Sequence, residues 1–220
     1  MSPAKIATVV IAIAAYVSIS HMALITPQPD NVWRQIAVAM LAFPLVGIVS
    51  WSAFSLLPPA RVTRMARMLG AAGVMALCLV ATLLLWQPML LNLDWFYLAQ
   101  HVVTNLIFAW FFGQTLLAPR TPLITQFAQT IHGHLPDDVL RYTRGVTLAW
   151  TVFFLAQIAL SLFIFYLFSL ETWSLFANVL NWPLVILMFM GEYLCRKIMN
   201  PDFQHAGIKE SINAYVNSRK

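Results

Sequence analysis

The sequence predicts an all-α, polytopic integral membrane bundle of six transmembrane helices, and three observations carry that expectation. Sixty per cent of the 220 residues are apolar and only 10% are Asp, Glu, Lys or Arg, far below the roughly 25% charged residues of soluble domains. The apolar residues gather into stretches of about 20, the length that crosses a hydrocarbon core of roughly 30 Å at 1.5 Å per residue. These runs are continuous rather than alternating, which selects helices over barrel strands.

The expected spans are 6–25, 36–57, 69–86, 96–117, 146–168 and 174–194, within a single transmembrane domain, 1–220. Basic residues orient them. With a cytoplasmic N-terminus, Lys5, the loop Arg61/Arg64/Arg67, the loop Arg120/Arg141/Arg144 and the tail residues Arg196, Lys197, Lys209, Arg219 and Lys220 all fall inside, and Arg34 alone falls outside. The positive-inside rule then places both termini in the cytoplasm. Trp33, Trp86, Trp95 and Trp173 sit where four helices meet the outer interface, as an aromatic belt requires. The first span is expected to stay uncleaved: Ser18-Ile19-Ser20 offers small residues, but the preceding segment holds one Lys and the apolar run continues to Ile25. The formal charge of +5 follows from topology and attraction to anionic lipid, so nucleic acid is not an expected partner. Cys78 and Cys195 read as packing thiols, without a disulfide framework.

Each connection has a local reading. Residues 26–35 and 87–95 are outer loops, 58–68 a basic inner turn and 169–173 a tight outer turn; the loop 118–145 and the tail 195–220 are the sizeable cytoplasmic pieces. Pro44 in span two and Pro183 in span six each remove a backbone donor and bend their helices. In the 118–145 loop, Thr121 is a candidate N-cap, Pro122 a first helical residue and Gly133 a stop. Leu123, Ile124, Phe127 and Ile131 share one face, giving a short amphipathic cytoplasmic helix that lies in the inner interface or packs under the bundle. Pro136 starts a second helix, with Asp137 and Asp138 at the positive end of its dipole and Arg141 within i+3/i+4 reach.

Polar residues inside a membrane are the better pointers to function, because burying them in lipid is costly. Span four presents Asp94, His101 and Asn105 on one face, with His21 of span one at similar depth. Span six presents Asn178, Asn181 and Glu192 within one arc. Asp94, His101, Asn105, Asn178 and Asn181 are expected to meet in an outer polar cavity. An Asp94–His101 pair suits general base work, since a carboxylate fixes the imidazole tautomer; interhelical hydrogen bonding is the alternative. Glu192 lies deeper, where Arg144 or Arg196 is its expected ion-pair partner. His132 and His134, with Glu192, form a second candidate acid/base group. One H-x-H on a turn lacks the convergent ligands a zinc site needs, so neither metal nor cofactor is expected.

The segments "FFGQTLL" (111–117), "PLIT" (122–125), "IHG-x-LP" (131–136), "YTRGVTLAW" (142–150), "WSLFANVLNWPLV" (173–185) and "MFMGEY" (188–193) resemble a family of bacterial inner-membrane proteins. Its members are encoded among the acyl carrier proteins, ketosynthases, dehydratases and acyltransferases of aryl polyene and xanthomonadin-type pigment clusters. The resemblance covers roughly 98–194 and implies a place in a fatty-acid-synthase-like pathway in the bacterial inner membrane; it carries no catalytic residues onto this chain. The expected role is a membrane platform whose Arg61, Arg64, Arg67, Arg120, Arg141 and Arg144 dock acidic acyl carrier protein, soluble synthase or anionic lipid. The alternatives are an integral-membrane acyl or aryl-polyene transferase and, third, a lipid or polyene flippase.

Overall fold

The computed structural model describes residues 3–26, 28–56 and 63–199. Among the described residues every regular element is a helix: α1 Pro3–Ile25, α2 Val32–Leu56, α3 Arg64–Leu91, α4 Leu93–Gly113, α5 Leu123–His132, α6 Asp137–Leu167, α7 Leu170–Ser174 and α8 Asn181–Met199. A 3-10 turn, Gln114–Leu116, follows α4, and a π-helical turn, Leu175–Leu180, joins α7 to α8. Five stretches are long and apolar enough to cross a membrane: Val32–Leu56, Arg64–Leu91, Leu93–Leu116, Asp137–Leu167 and Leu170–Met199. Val10–Ile25 of α1 is a shorter apolar one. The chain thus fits a multi-pass membrane protein, and lipid contact accounts for apolar side chains such as Leu83 and Leu84 of α3, which stay 74% and 75% exposed. Arg61, Lys209, Arg219, Lys220 and the tail beyond residue 199 lie outside the described residues.

Local chemistry sets the helix ends. Asn31 caps α2, its Oδ1 accepting from Trp33 N–H at 2.8 Å, and Thr63 caps α3 by accepting from Ala66 N–H. The expected outer loop 87–95 shrinks to one residue. α3 runs through Pro88 to Leu91, and Asn92 closes it by donating to Pro88 O from both its backbone (3.0 Å) and its side chain (2.9 Å). The Asn92 carbonyl then accepts from Trp95 and Phe96 N–H, so one residue ends one helix and starts the next. The expected 169–173 turn is likewise mostly helix, because Leu170 already opens α7. The π turn lies just before Pro183, whose missing N–H leaves the carbonyl one turn upstream without its usual donor, a physical reason for a wider turn there.

The chain divides into two compact units: Met1–Tyr97 with Leu170–Asn178, and Leu98–Ser169 with Val179–Lys220. In the first, α2 packs on α1 and α3, and α1 packs on α7. Arg34, the one basic residue expected outside, has a structural task here. Its Nε and Nη2 donate to Leu90 O at 3.1 and 2.7 Å and its Nη1 to Thr26 O at 3.2 Å, binding carbonyls left over at helix ends. Trp173 corrects the belt reading: Trp33 and Trp95 are exposed, but Trp173 is fully buried, so it serves packing. Cys195, expected to be packed, is exposed.

The second unit is organised by α6. Its buried residues Thr143, Thr147, Trp150, Phe154, Gln157 and Ser161 follow a 4-3-4-3-4 spacing, the seam of a helix that packs along its length. Ala109, Val146, Trp150 and Phe154 form the core cluster, with Phe112, Ile124, Tyr142, Phe153 and Met188 against it. α4 comes close where Gly113 faces Thr151: an added Cβ would lie 3.1 Å from Thr151 Cγ2, so the glycine permits the approach.

Candidate functional site

Polar side chains gather first where α5 meets α6. An isolated helix start leaves its first N–H groups without partners, and the expected cap at Thr121 does not supply them. The N-cap position is Pro122, which makes no side-chain cap bond. Instead Thr115 Oγ1 accepts from Leu123 N–H at 2.9 Å, and Thr147 Oγ1 accepts from Ile124 N–H at 3.3 Å. Thr125 and Thr143 share a hydroxyl hydrogen bond of 2.7 Å. Thr143 and Thr147 also donate to carbonyls of their own helix, so these hydroxyls are satisfied in a buried place. α5 is therefore seated on α6 by threonines, not by the whole expected apolar face. Leu123 is buried and Ile124 half-buried, but Phe127 points out at 46% exposure. Thr147→Val keeps the volume and removes the acceptor from Ile124 N–H. It is expected to cost about 1–2 kcal/mol and to speed hydrogen exchange across 123–126; unchanged exchange would show that the hydroxyl does not seat α5.

This seat fixes the surroundings of the predicted basic and histidine residues. Arg120, Arg141 and Arg144 are all exposed. Arg120 Nη1 donates to Gln114 Oε1 at 2.6 Å and Arg144 Nη2 to Leu116 O at 3.3 Å, which holds two of the three guanidiniums against the 3-10 turn. Gly133, at φ +72°, stops α5, a backbone setting that favours glycine. His132 is half-buried before it and His134 exposed after it. Asp137 and Asp138 occupy the first turn of α6, as expected. Among the described residues no three His, Cys, Asp or Glu side chains gather as a metal site would require. Glu192 pairs with Arg196, one of its two expected partners, at 3.5 Å, and its backbone carbonyl accepts from Tyr142 Oη at 3.1 Å.

A second gathering links α4, α6 and α8 inside the second unit. His101 and Asn105 are buried on α4. Asn105 Nδ2 donates to His101 O at 2.8 Å and lies 3.5 Å from His101 Nε2. The Asn181 side chain lies close to His101, and its Oδ1 accepts from Gln157 Nε2 at 2.9 Å. Amide and imidazole groups of three helices thus gather here.

The third gathering lies in the first unit. His21 Nδ1 is 2.9 Å from Ser174 Oγ, and Asn178 Nδ2 donates to the same Oγ at 3.1 Å. Nearby in sequence, buried Ser20 accepts from Tyr97 Oη at 2.9 Å. Of the residues expected in the outer polar cavity, His101, Asn105 and Asn181 belong to the second unit, and Asp94 and Asn178 to the first. Asp94 is half-buried in the first turn of α4, where its charge suits the helix dipole.

In the basic N-terminal turn of α3, Arg64 is exposed. Arg67 is engaged: its Nε and Nη2 donate to Phe54 O at 3.1 and 3.0 Å and its guanidinium stacks 4.2 Å over the Phe54 ring, closing the end of α2. Sequence reasoning missed Ser174, Gln157, Tyr97 and the threonines. A signal for the last existed, since Thr143, Thr147 and Thr151 recur every four residues; Ser174 had none, as its partner is 153 residues away. No protein-family model matches the chain, and neither a curated protein nor a solved structure matches it.

Proposed function

We propose that this chain is a six-span platform of a bacterial inner membrane, N-in and C-in, that holds acidic acyl carrier protein or soluble synthase at its cytoplasmic face in an aryl-polyene-type pathway. The observation that carries the reading is the threonine-seated α5 with Arg120, Arg141 and Arg144 exposed beside it. A basic surface held on a fixed support loses little side-chain and loop entropy when an acidic partner docks. Arg141 has its guanidinium ready for such a partner, while Arg120 and Arg144 add field from braced positions. The segments within 98–194 that resemble the pigment-cluster family include α5 and the start of α6, so this surface and the resemblance fall on the same residues.

The test is capture of purified acyl carrier protein by membranes holding the full chain. Reversing Arg120, Arg141 and Arg144 to Glu is expected to lower capture at least about tenfold with membrane levels unchanged. Equal capture by the reversed variant would end the docking reading.

A further inference from the structure

We propose that Ser174 and His21 form a catalytic serine–histidine pair that transfers acyl groups from a lipid ester at the edge of the membrane. The proposal does not rest on carrier docking and involves a different part of the chain. Its starting point is the 2.9 Å contact between Ser174 Oγ and His21 Nδ1, within the reach a nucleophile and its base require. Asn178 donates to Ser174 Oγ at 3.1 Å, which leaves the hydroxyl hydrogen for the imidazole, whose Nδ1 accepts it in the tautomer that carries the proton on the other ring nitrogen.

Depth gives the substrate class. His21 lies four residues before the end of α1 and Ser174 four residues after the start of α7, each about 6 Å of helical rise from a helix end. Ester carbonyls of lipids lie at that boundary between hydrocarbon and head groups. The π-helical turn Leu175–Leu180 begins at the residue after Ser174, and such turns frequently mark functional sites. Ser174 is fully buried and His21 half-buried, so the ester reaches the pair from the open side of His21.

In the step, Ser174 Oγ bonds to the ester carbonyl carbon while its proton moves to His21 Nδ1. The ester C–O bond breaks and that proton goes to the leaving alcohol. An acceptor alcohol or water then gives its proton to His21 and takes the acyl group, and the proton returns to Ser174 Oγ.

The experiment treats membrane vesicles containing the full chain, and no carrier protein, with a long-chain alkyl fluorophosphonate, and maps the adduct by mass spectrometry. Wild type is expected to carry the adduct on Ser174, and His21→Gln to form it at least about 100-fold more slowly. Absence of an adduct on Ser174 of wild type after prolonged exposure overturns the proposal, as does equal labelling in His21→Gln at equal membrane level. The wild-type result is read without any variant, so it decides the matter even where His21→Gln fails to accumulate. Because the vesicles hold no carrier protein, failure here leaves the docking reading standing, and failure of docking leaves this one standing.

Discussion

Trp150→Ala is expected to destabilise the second unit by about 3 kcal/mol, seen as a lower thermal midpoint in detergent. Trp150 is 4% exposed and its ring meets four others: Phe189 at 4.6 Å, Phe154 at 5.7 Å, and Phe112 and Phe153 each at 5.8 Å. In lipid the gain from leaving water is absent, so what truncation removes is dispersion contact and aromatic pairing, and the void remains. The control is Trp182→Ala on α8. That ring is 47% exposed, and its loss is expected to cost under about 0.5 kcal/mol. Similar midpoints for the two variants would refute the placement of Trp150 at the hub. Trp150 lies three residues beyond Thr147 on the seam of α6, so loosening it disturbs the hydroxyl that holds Ile124 N–H; on the docking reading proposed above, acyl carrier capture should then fall together with stability.

Hydropathy made the membrane spans legible because lipid demands long apolar helices whatever their partners. The same rule hid their inner faces. On a helix that is apolar all round, no amphipathic stripe separates protein contact from lipid contact. α3 and α6 read alike in sequence, although none of the apolar window of α3 is buried and 22% of that of α6 is. The seam of α6 left a sequence signal only in its polar members, Thr143, Thr147, Gln157 and Ser161, which went unread although polar groups are expensive to leave in lipid and so mark a packed side. Charge did not reveal its task. Arg34, the one basic residue expected outside, is held by carbonyls at Leu90 and Thr26, and Arg67, expected inside, closes α2. The stop at Gly133 and the acidic start of α6 were legible because they depend on neighbouring residues. The His21–Ser174 pair depends on two distant helices meeting, which no local pattern encodes.

Trp173→Ala is the variant that separates the belt reading from the packed one. A belt tryptophan sits half in head groups, and removing it costs little stability, as expected for Trp33→Ala, whose ring is 38% exposed. Trp173 is fully buried beside Ser174, which is buried as well, on the five-residue helix that packs on α1. α7 opens the continuous helical stretch Leu170–Met199, and its buried side chains with the Ser174 bond to His21 hold that opening on α1. Trp173→Ala is therefore expected to cost about 3 kcal/mol, against under about 0.5 kcal/mol for Trp33→Ala, and to release α7 from α1. Hydrogen exchange across 170–174 should accelerate with the fall in midpoint. Fluorophosphonate labelling of Ser174 should fall too, because the hydroxyl would lose its fixed distance to Nδ1. A loss of stability that leaves the rate of labelling unchanged would mean that this packing does not hold the pair.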